Sequence, residues 1–116
     1  DENVRHWHAS PRSAAEFVVH AATMDLAAMG PRRCLSLPGL SCTVGEQIEA
    51  LRRVAGDKVA SRIRREPNET IRGIVANWPR DFDPQRALAL GFRAESSFDE
   101  IIRVHIEDEL GGTFVA

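Results

Sequence analysis

The stretch over residues 35–56, LSLPGLSCTVGEQIEALRRVAG, constrains the fold more than any other part of the sequence. Thr43 lies three residues before Glu46, which is the spacing of a capping box, in which each side chain accepts a hydrogen bond from the other's backbone amide. Gly56 can adopt the left-handed conformation that ends helices. The sequence therefore predicts a helix with an apolar face that needs a sheet to pack on, formed by residues at helical spacing: Val44, Ile48, Leu51 and Ala55.

Three short strands are predicted, over residues 4–8, 33–37 and 61–65. In the second of these, leucines alternate with a polar serine before the turn signal Pro38-Gly39. Its short length is typical of an interior strand of a parallel sheet. Such a strand leaves backbone donors and acceptors open on both sides unless neighbours pair with them. We therefore expect the chain to be part of a larger fold or to pair with another copy as a homodimer.

Four further helices are predicted from caps and stops. A long one begins at Ser10-Pro11 and ends at Gly30, and its apolar residues suggest burial on more than one side. Asn68 caps a helix that Pro79 stops. A short helix over 85–90 follows an Asp-Pro pair, and the last begins at a second capping box that Ser97 and Glu100 form. Helices between short strands favour a mixed α/β unit with right-handed crossovers.

Composition excludes several classes of function. A chain of 116 residues fits one domain at most, and a hydrophobic share of 43% with 28% charged residues is ordinary for a soluble protein. A net charge of -2 provides no general attraction to phosphate backbones, so no nucleic-acid partner is expected. No apolar run approaches the roughly 20 residues that span a bilayer. We expect no membrane partner and a cytoplasmic location.

The residue types that carry chemistry are sparse. His6 and His8 alternate along a predicted strand and face one side, but no third ligand accompanies them, so no metal site is expected. Cys34 and Cys42 have neither zinc nor redox spacing and are interpreted as buried thiols. The acidic run 107–109 is interpreted as a solvated face. The chain has no tyrosine and no glycine-rich phosphate loop, and no catalytic residue is predicted.

Three segments in order resemble a known family: RHWHASPRSAAEFVVHA, RCLSLPGLSCTVGEQIEALRRVAG and DFDPQRALALGFRAESSFDEIIRVHIEDE. Together they resemble the C-terminal part of an extended short-chain dehydrogenase/reductase, of the NAD-dependent epimerase/dehydratase family. Within that family the chain looks most like a branch of sugar-acid oxidoreductases. The resemblance covers nearly the whole chain.

This resemblance implies an α/β fold in which residues 1–116 form a single partial domain, the helix-rich C-terminal substrate-binding lobe, without the Rossmann cofactor domain. The parent enzyme would bind NAD on that N-terminal Rossmann domain and transfer hydride to or from a small-molecule substrate, a sugar acid or nucleotide sugar. The strand at 33–37 would return to the Rossmann sheet. The chain alone would bind no NAD in the family manner and would be inactive, because the family's catalytic tyrosine is absent from it.

The resemblance also implies substrate-binding residues. Arg5 occupies the position at which nucleotide-sugar members contact the substrate's anionic group, and His8 and Ser10 follow it into the same region. The sequence departs from the family pattern at Arg12, where many members have an acid, and at Cys34, where many have a polar residue. Both departures weigh against a nucleotide sugar.

Two alternatives remain open. The chain could be an autonomous helical binding or assembly module that shares only the lobe, in which case it would form a stable monomer or symmetric dimer. A standalone enzyme is the weaker alternative, since no nucleophile, metal set or acid/base pair is visible.

Overall fold

The sheet consists of two antiparallel strands in the computed structural model, which describes residues 1–115. Strand β1 (Arg5–His8) pairs with β2 (Leu40–Thr43) so that the first residue of β1 lies opposite the last of β2. Backbone pairing continues past the strands, with the Val44 amide donating to the Val4 carbonyl at 3.0 Å. This ribbon brings the N-terminal segment of the chain against the start of the central helix.

Helices make up most of the remaining structure, with a 3₁₀ turn at Leu26–Met29. In chain order they are α1 (Pro11–Thr23), α2 (Val44–Ala55), α3 (Asp57–Ala60), α4 (Glu69–Val75), α5 (Gln85–Ala89) and α6 (Phe98–Glu109). The expected helix-rich fold with a few short strands is confirmed. Within residues 1–115, no helix has both the length and the apolar character needed to cross a bilayer.

Helix α2 forms as its caps predict. Thr43 Oγ1 accepts from the Glu46 amide at 3.1 Å, and Glu46 Oε2 accepts from the Thr43 amide at 2.6 Å. The helix ends before Gly56, which has a φ of 86°. Ile48 and Ala50 of α2 are buried, and the helix packs against α6 and α3.

The predicted strands at 33–37 and 61–65 are wrong, and so is the parallel sheet with crossovers. The chain passes Pro38 before its second strand forms, and that strand pairs with β1 directly. Side chains bind the carbonyls of the preceding segment instead: Arg86 donates to the Cys34 carbonyl at 2.9 Å, and Trp7 Nε1 donates to the Leu37 carbonyl at 3.3 Å. These bonds hold the segment in place without regular secondary structure.

Helix α1 is shorter and more exposed than predicted. It ends at Thr23, and a 3₁₀ turn precedes Gly30. Its buried residues are Ser13 and Phe17, whereas Val18 is 70% exposed. The predicted burial on more than one side is wrong for the described residues, because none of their elements covers the second apolar face of α1.

The other helix ends also refine the predictions. Asn68 Oδ1 caps α4 by accepting from the Ile71 amide at 3.1 Å. Ser97 Oγ caps α6 by accepting from the Glu100 amide at 3.3 Å, but the Glu100 carboxylate accepts from the Ser96 amide at 2.7 Å. The second capping box is therefore incomplete, since its return bond goes to the preceding residue.

A small core lies where α1 and α5 meet, around Phe17, Ala87 and Phe92. His20 closes this core, because its Nε2 lies 2.7 Å from the Leu90 carbonyl oxygen and its ring meets the Phe92 ring edge-on at 4.6 Å. These contacts fix the C-terminal third of the chain to α1.

Candidate functional site

A cleft of about 500 Å³ opens between the start of β1 and helix α4. This volume is in the range of small-molecule sites. Three arginines, Arg5, Arg72 and Arg80, are among the side chains that line it, with Asp1, Asn3, Val4, His6, Glu69, Gly73, Val75 and Ala76. Three arginines against the carboxylates of Asp1 and Glu69 leave the lining with a net positive charge, within a chain of net charge -2.

Arg5 reaches this cleft from β1, and protein acceptors already hold its guanidinium group. Nη1 donates to the Ser41 carbonyl at 2.8 Å, and Nη2 lies 3.2 Å from Glu46 Oε2. The Arg5 side chain remains 40% exposed, so part of its donor set faces solvent. Of the three predicted substrate-binding residues, Arg5 is the one that lines the cleft.

Glu46 is the carboxylate that fixes Arg5. The hydrogen bond from the Thr43 backbone, and then the charge of Arg5, hold the pKa of Glu46 below its ordinary value. Glu46 therefore stays ionised near neutral pH, and its one carboxylate caps α2 and orients Arg5 together.

Arg72 and Arg80 approach the cleft from α4 and the segment after it. Arg72 Nη1 pairs with Glu69 Oε1 at 2.7 Å on the surface of α4. The Arg80 carbonyl accepts from Ser41 Oγ at 2.6 Å, which fixes its main chain to β2. Within residues 1–115, the Arg80 guanidinium makes no hydrogen bond or ion pair.

His8 lies outside the lining of the cleft. Its Nε2 is 3.1 Å from Gln47 Nε2, and its ring meets the Phe98 ring edge-on at 5.6 Å. Burial, and then the charge of His6, lower the pKa of His8. His8 is therefore mostly neutral at pH 7. The structure does not bring it together with Arg5 in one pocket.

Ser10 is completely buried. It caps α1 by accepting from the Ser13 amide at 3.0 Å, and its amide donates to Glu95 Oε2 at 3.2 Å. Its hydroxyl donates to the other oxygen of Glu95, which also accepts from Ser13 Oγ at 2.9 Å. The Ser10 hydroxyl is thus fully engaged inside the protein.

In the part of the chain that the structure describes, no third metal ligand accompanies His6 and His8. His6 and His8 lie with ring centroids 6.5 Å apart, and the His6 ring packs on Trp78 at 5.5 Å. Among the described residues there is no group of three side chains able to bind one metal ion.

The structure corrects two other interpretations of the sequence, the burial of Cys34 and the solvation of the acidic run at residues 107–109. Cys34 is exposed, whereas Cys42 is buried as predicted. The acidic run near the end of α6 is not simply solvated, because Arg12 Nε donates to Asp108 at 3.0 Å and Arg12 Nη2 lies 2.9 Å from Glu107. Arg12, at which the sequence departs from the family pattern, thus joins the start of α1 to the end of α6.

The described residues do not fit a dinucleotide in the Rossmann manner. Such a site needs a glycine-rich turn between a parallel strand and a helix. Here β2 is antiparallel and runs directly into α2 through Thr43.

Sequence patterns did not reveal Arg80 or Ser41. The sequence offers little to identify them as cleft residues. Arg80 follows Pro79 at a helix stop, and Ser41 is one of several serines in its region. Their proximity depends on β2 pairing with β1, which sequence periodicity did not predict.

No family model matches the chain. It is 46% identical over 102 residues to D-erythronate dehydrogenase of Cupriavidus necator, a match that covers 88% of this chain and 32% of that protein. It is 34% identical over 109 residues to D-erythronate dehydrogenase of Haemophilus influenzae, covering 94% of this chain and 35% of that protein. The chain thus spans about a third of the length of these relatives.

The same relationship holds for a solved structure. The crystal structure of the nucleoside-diphosphate-sugar epimerase from Agrobacterium tumefaciens matches 97% of this chain and 33% of its own, with a TM-score of 0.95 and 63% sequence identity. The resemblance predicted from the sequence is confirmed: over nearly its whole length the chain is similar to a C-terminal portion of D-erythronate dehydrogenases and of a nucleoside-diphosphate-sugar epimerase.

Proposed function

We propose that the chain is the substrate-binding part of an NAD-dependent oxidoreductase that acts on a sugar acid such as D-erythronate. The observation that carries this proposal is the small basic cleft lined by Arg5, Arg72 and Arg80. A guanidinium group matches a carboxylate in geometry and charge. The names of two relatives, both D-erythronate dehydrogenases, support the same substrate class.

His8 and Ser10 keep different parts in this proposal. His8 is half-buried between Gln47 and Phe98 and supports the sheet behind Arg5. Ser10 is sealed against Glu95 and orients the start of α1. We therefore assign direct substrate contact to Arg5 and expect the other two residues to act by holding the local structure.

The cofactor belongs to another part of the parent protein. When bound there, NAD would accept or donate the hydride. The face of this chain that would meet the Rossmann domain is apolar, since a groove beside α1 is lined mainly by aliphatic and aromatic side chains: Phe17, Val18, Ala21, Met24, Leu26, Met29, Leu35, Leu37 and Phe92. An apolar surface of this kind is typical of a protein interface.

A nucleotide sugar is the second candidate substrate. The Agrobacterium tumefaciens protein, which is 63% identical over its matched part, is named a nucleoside-diphosphate-sugar epimerase. Arginines also bind diphosphates. The cleft volume of about 500 Å³ accommodates either ligand, so the preference for a sugar acid rests on the names of the two relatives.

The test uses the protein encoded by the complete reading frame that contains this chain. We expect it to form NADH from NAD⁺ and D-erythronate, and to do so far more slowly with erythritol, which lacks the carboxylate. Epimerisation of a UDP-sugar without NADH formation from D-erythronate would favour the second candidate. A reading frame that starts directly before Asp1 would contradict the proposal and favour an autonomous binding module.

A further inference from the structure

We propose that Arg80 provides the principal positive charge that binds the substrate carboxylate in the cleft. This inference rests on the proposed function, because it takes a sugar acid as the ligand. It moves the main anion contact away from Arg5, the residue that the family resemblance implies. The reason lies in how the other cations of the cleft are already paired.

The charges of Arg5 and Arg72 are each offset by a carboxylate. Arg5 lies 3.2 Å from Glu46 Oε2, and Arg72 lies 2.7 Å from Glu69 Oε1. An incoming carboxylate would have to compete with these groups. Asp1 also lines the cleft, and its carboxylate accepts a hydrogen bond from the Asn3 amide at 3.0 Å.

Arg80 differs from both of these arginines. It lines the same cleft, and within residues 1–115 its guanidinium has neither a carboxylate partner nor a hydrogen bond to the protein. An exposed arginine retains all five donors for a ligand. A carboxylate entering the cleft therefore meets Arg80 as the cation that is free to form a two-bond contact.

The main chain of Arg80 is held in place rather than mobile on a loop. Ser41 Oγ donates to the Arg80 carbonyl at 2.6 Å, while the Ser41 carbonyl accepts from Arg5 Nη1 at 2.8 Å. One residue of β2 thus fixes both the side chain of Arg5 and the main chain of Arg80. Phe82, two residues on, packs edge-on against Trp7 at 5.7 Å and fixes the following segment.

These contacts give the two arginines distinct roles. Arg80 forms the direct ion pair with the carboxylate. Arg5, anchored by Glu46 and Ser41, offers its remaining exposed donors to a neighbouring hydroxyl of the sugar acid. Such a division suits a short polyhydroxy acid, which carries one charge and several hydroxyls.

The experiment titrates the 116-residue chain with sodium D-erythronate, following amide chemical shifts by NMR, which also reports whether the chain is folded. We expect Arg80→Gln to weaken binding by about tenfold or more, since a charge-assisted hydrogen-bonded contact is lost. Arg80→Lys keeps the charge without the fork and should recover part of the affinity. The matched control is Arg64→Gln, at an exposed position outside the lining of the cleft, which should bind as the wild type does.

The same pair of variants in the protein of the complete reading frame provides a second readout. There Arg80→Gln should raise KM for D-erythronate about tenfold with little change in kcat, and Arg64→Gln should change neither.

The outcomes separate this inference from the proposed function. D-erythronate binding and turnover that survive Arg80→Gln would overturn the role of Arg80 and leave the proposed function standing. Equal binding of erythritol and D-erythronate by the wild type would overturn the carboxylate contact itself. Binding of UDP-glucose with no binding or turnover of D-erythronate would overturn the inference and the proposed sugar-acid substrate together.

Discussion

The carboxylate of Glu95 binds both the backbone and the hydroxyl of Ser10, 85 residues earlier in the chain, with Ser10 N to Glu95 Oε2 at 3.2 Å. This pair joins the end of the β1 strand region to the segment before α6. It also explains why a serine at the start of α1 is completely buried.

Glu95→Gln should lower the free energy of unfolding by about 1–3 kcal/mol, because the charged acceptor of several hydrogen bonds is replaced. Burial raises the pKa of Glu95, but the hydrogen bonds from Ser10 and Ser13 outweigh it, so the net pKa is below the ordinary value. The stabilisation is therefore present above the unfolded pKa of about 4.3 and lost as pH falls through the folded pKa.

Chemical denaturation at a series of pH values measures this effect. The stability difference between wild type and Glu95→Gln should be largest near neutral pH and shrink as the pH falls below about 4. Glu66→Gln, at an exposed glutamate, is the control and should be close to neutral at every pH. A difference that stays constant into acid would contradict the role of the ionised carboxylate.

Thr43→Ala should cost about 1 kcal/mol of stability, because it removes the side-chain acceptor that caps α2. The variant should also loosen Glu46 and, through it, Arg5. Thermal unfolding measures the first effect, with the exposed Ser36→Ala as the control. An unchanged melting temperature in Thr43→Ala would contradict a stabilising role of the Thr43 cap.

Arg86→Lys should release the segment before β2. Arg86 donates to the carbonyls of Met29, Arg32 and Cys34, and a lysine can reach fewer of them. We expect faster amide hydrogen exchange over residues 29–37 and a loss of about 1–3 kcal/mol in stability. Arg64→Lys is the matched control. Equal rates of amide hydrogen exchange over residues 29–37 in the two variants would contradict the role of the Arg86 hydrogen bonds in holding this segment.

The apolar groove beside α1 should make the 116-residue chain self-associate when it is studied alone. Val18 and Leu26 are 70% and 53% exposed there. Replacing both with lysine should shift sedimentation toward the monomer without lowering stability, because neither side chain is buried. Glu109→Lys on α6 is the control. A wild-type chain that sediments as a monomer at high concentration would contradict this prediction.

Local signals in the sequence predicted five of the six α-helices of the described residues, but α3 was missed and α1 ends earlier than expected. The cap at Thr43 and the stop at Gly56 set both ends of α2, since each depends on residues only a few positions apart. The sheet could not be predicted in this way. Its second strand forms at Leu40–Thr43 because β1 lies beside it, and that pairing joins residues more than thirty positions apart.

The residues of the cleft were equally difficult to predict from local sequence signals. The family resemblance identifies Arg5 from the sequence. The place of Arg80 at the cleft is visible only in the folded structure, where its carbonyl accepts a hydrogen bond from Ser41. The burial of Ser10 depended on Glu95, a residue that no local pattern connects to it. Contacts between distant parts of the chain therefore decide which predicted residues reach the cleft.

The most direct test is a crystal structure of the protein from the complete reading frame with D-erythronate bound. We expect the substrate carboxylate in the cleft between β1 and α4, within about 2.7–3.1 Å of the Arg80 guanidinium. A carboxylate bound elsewhere, with Arg80 directed to solvent, would contradict it.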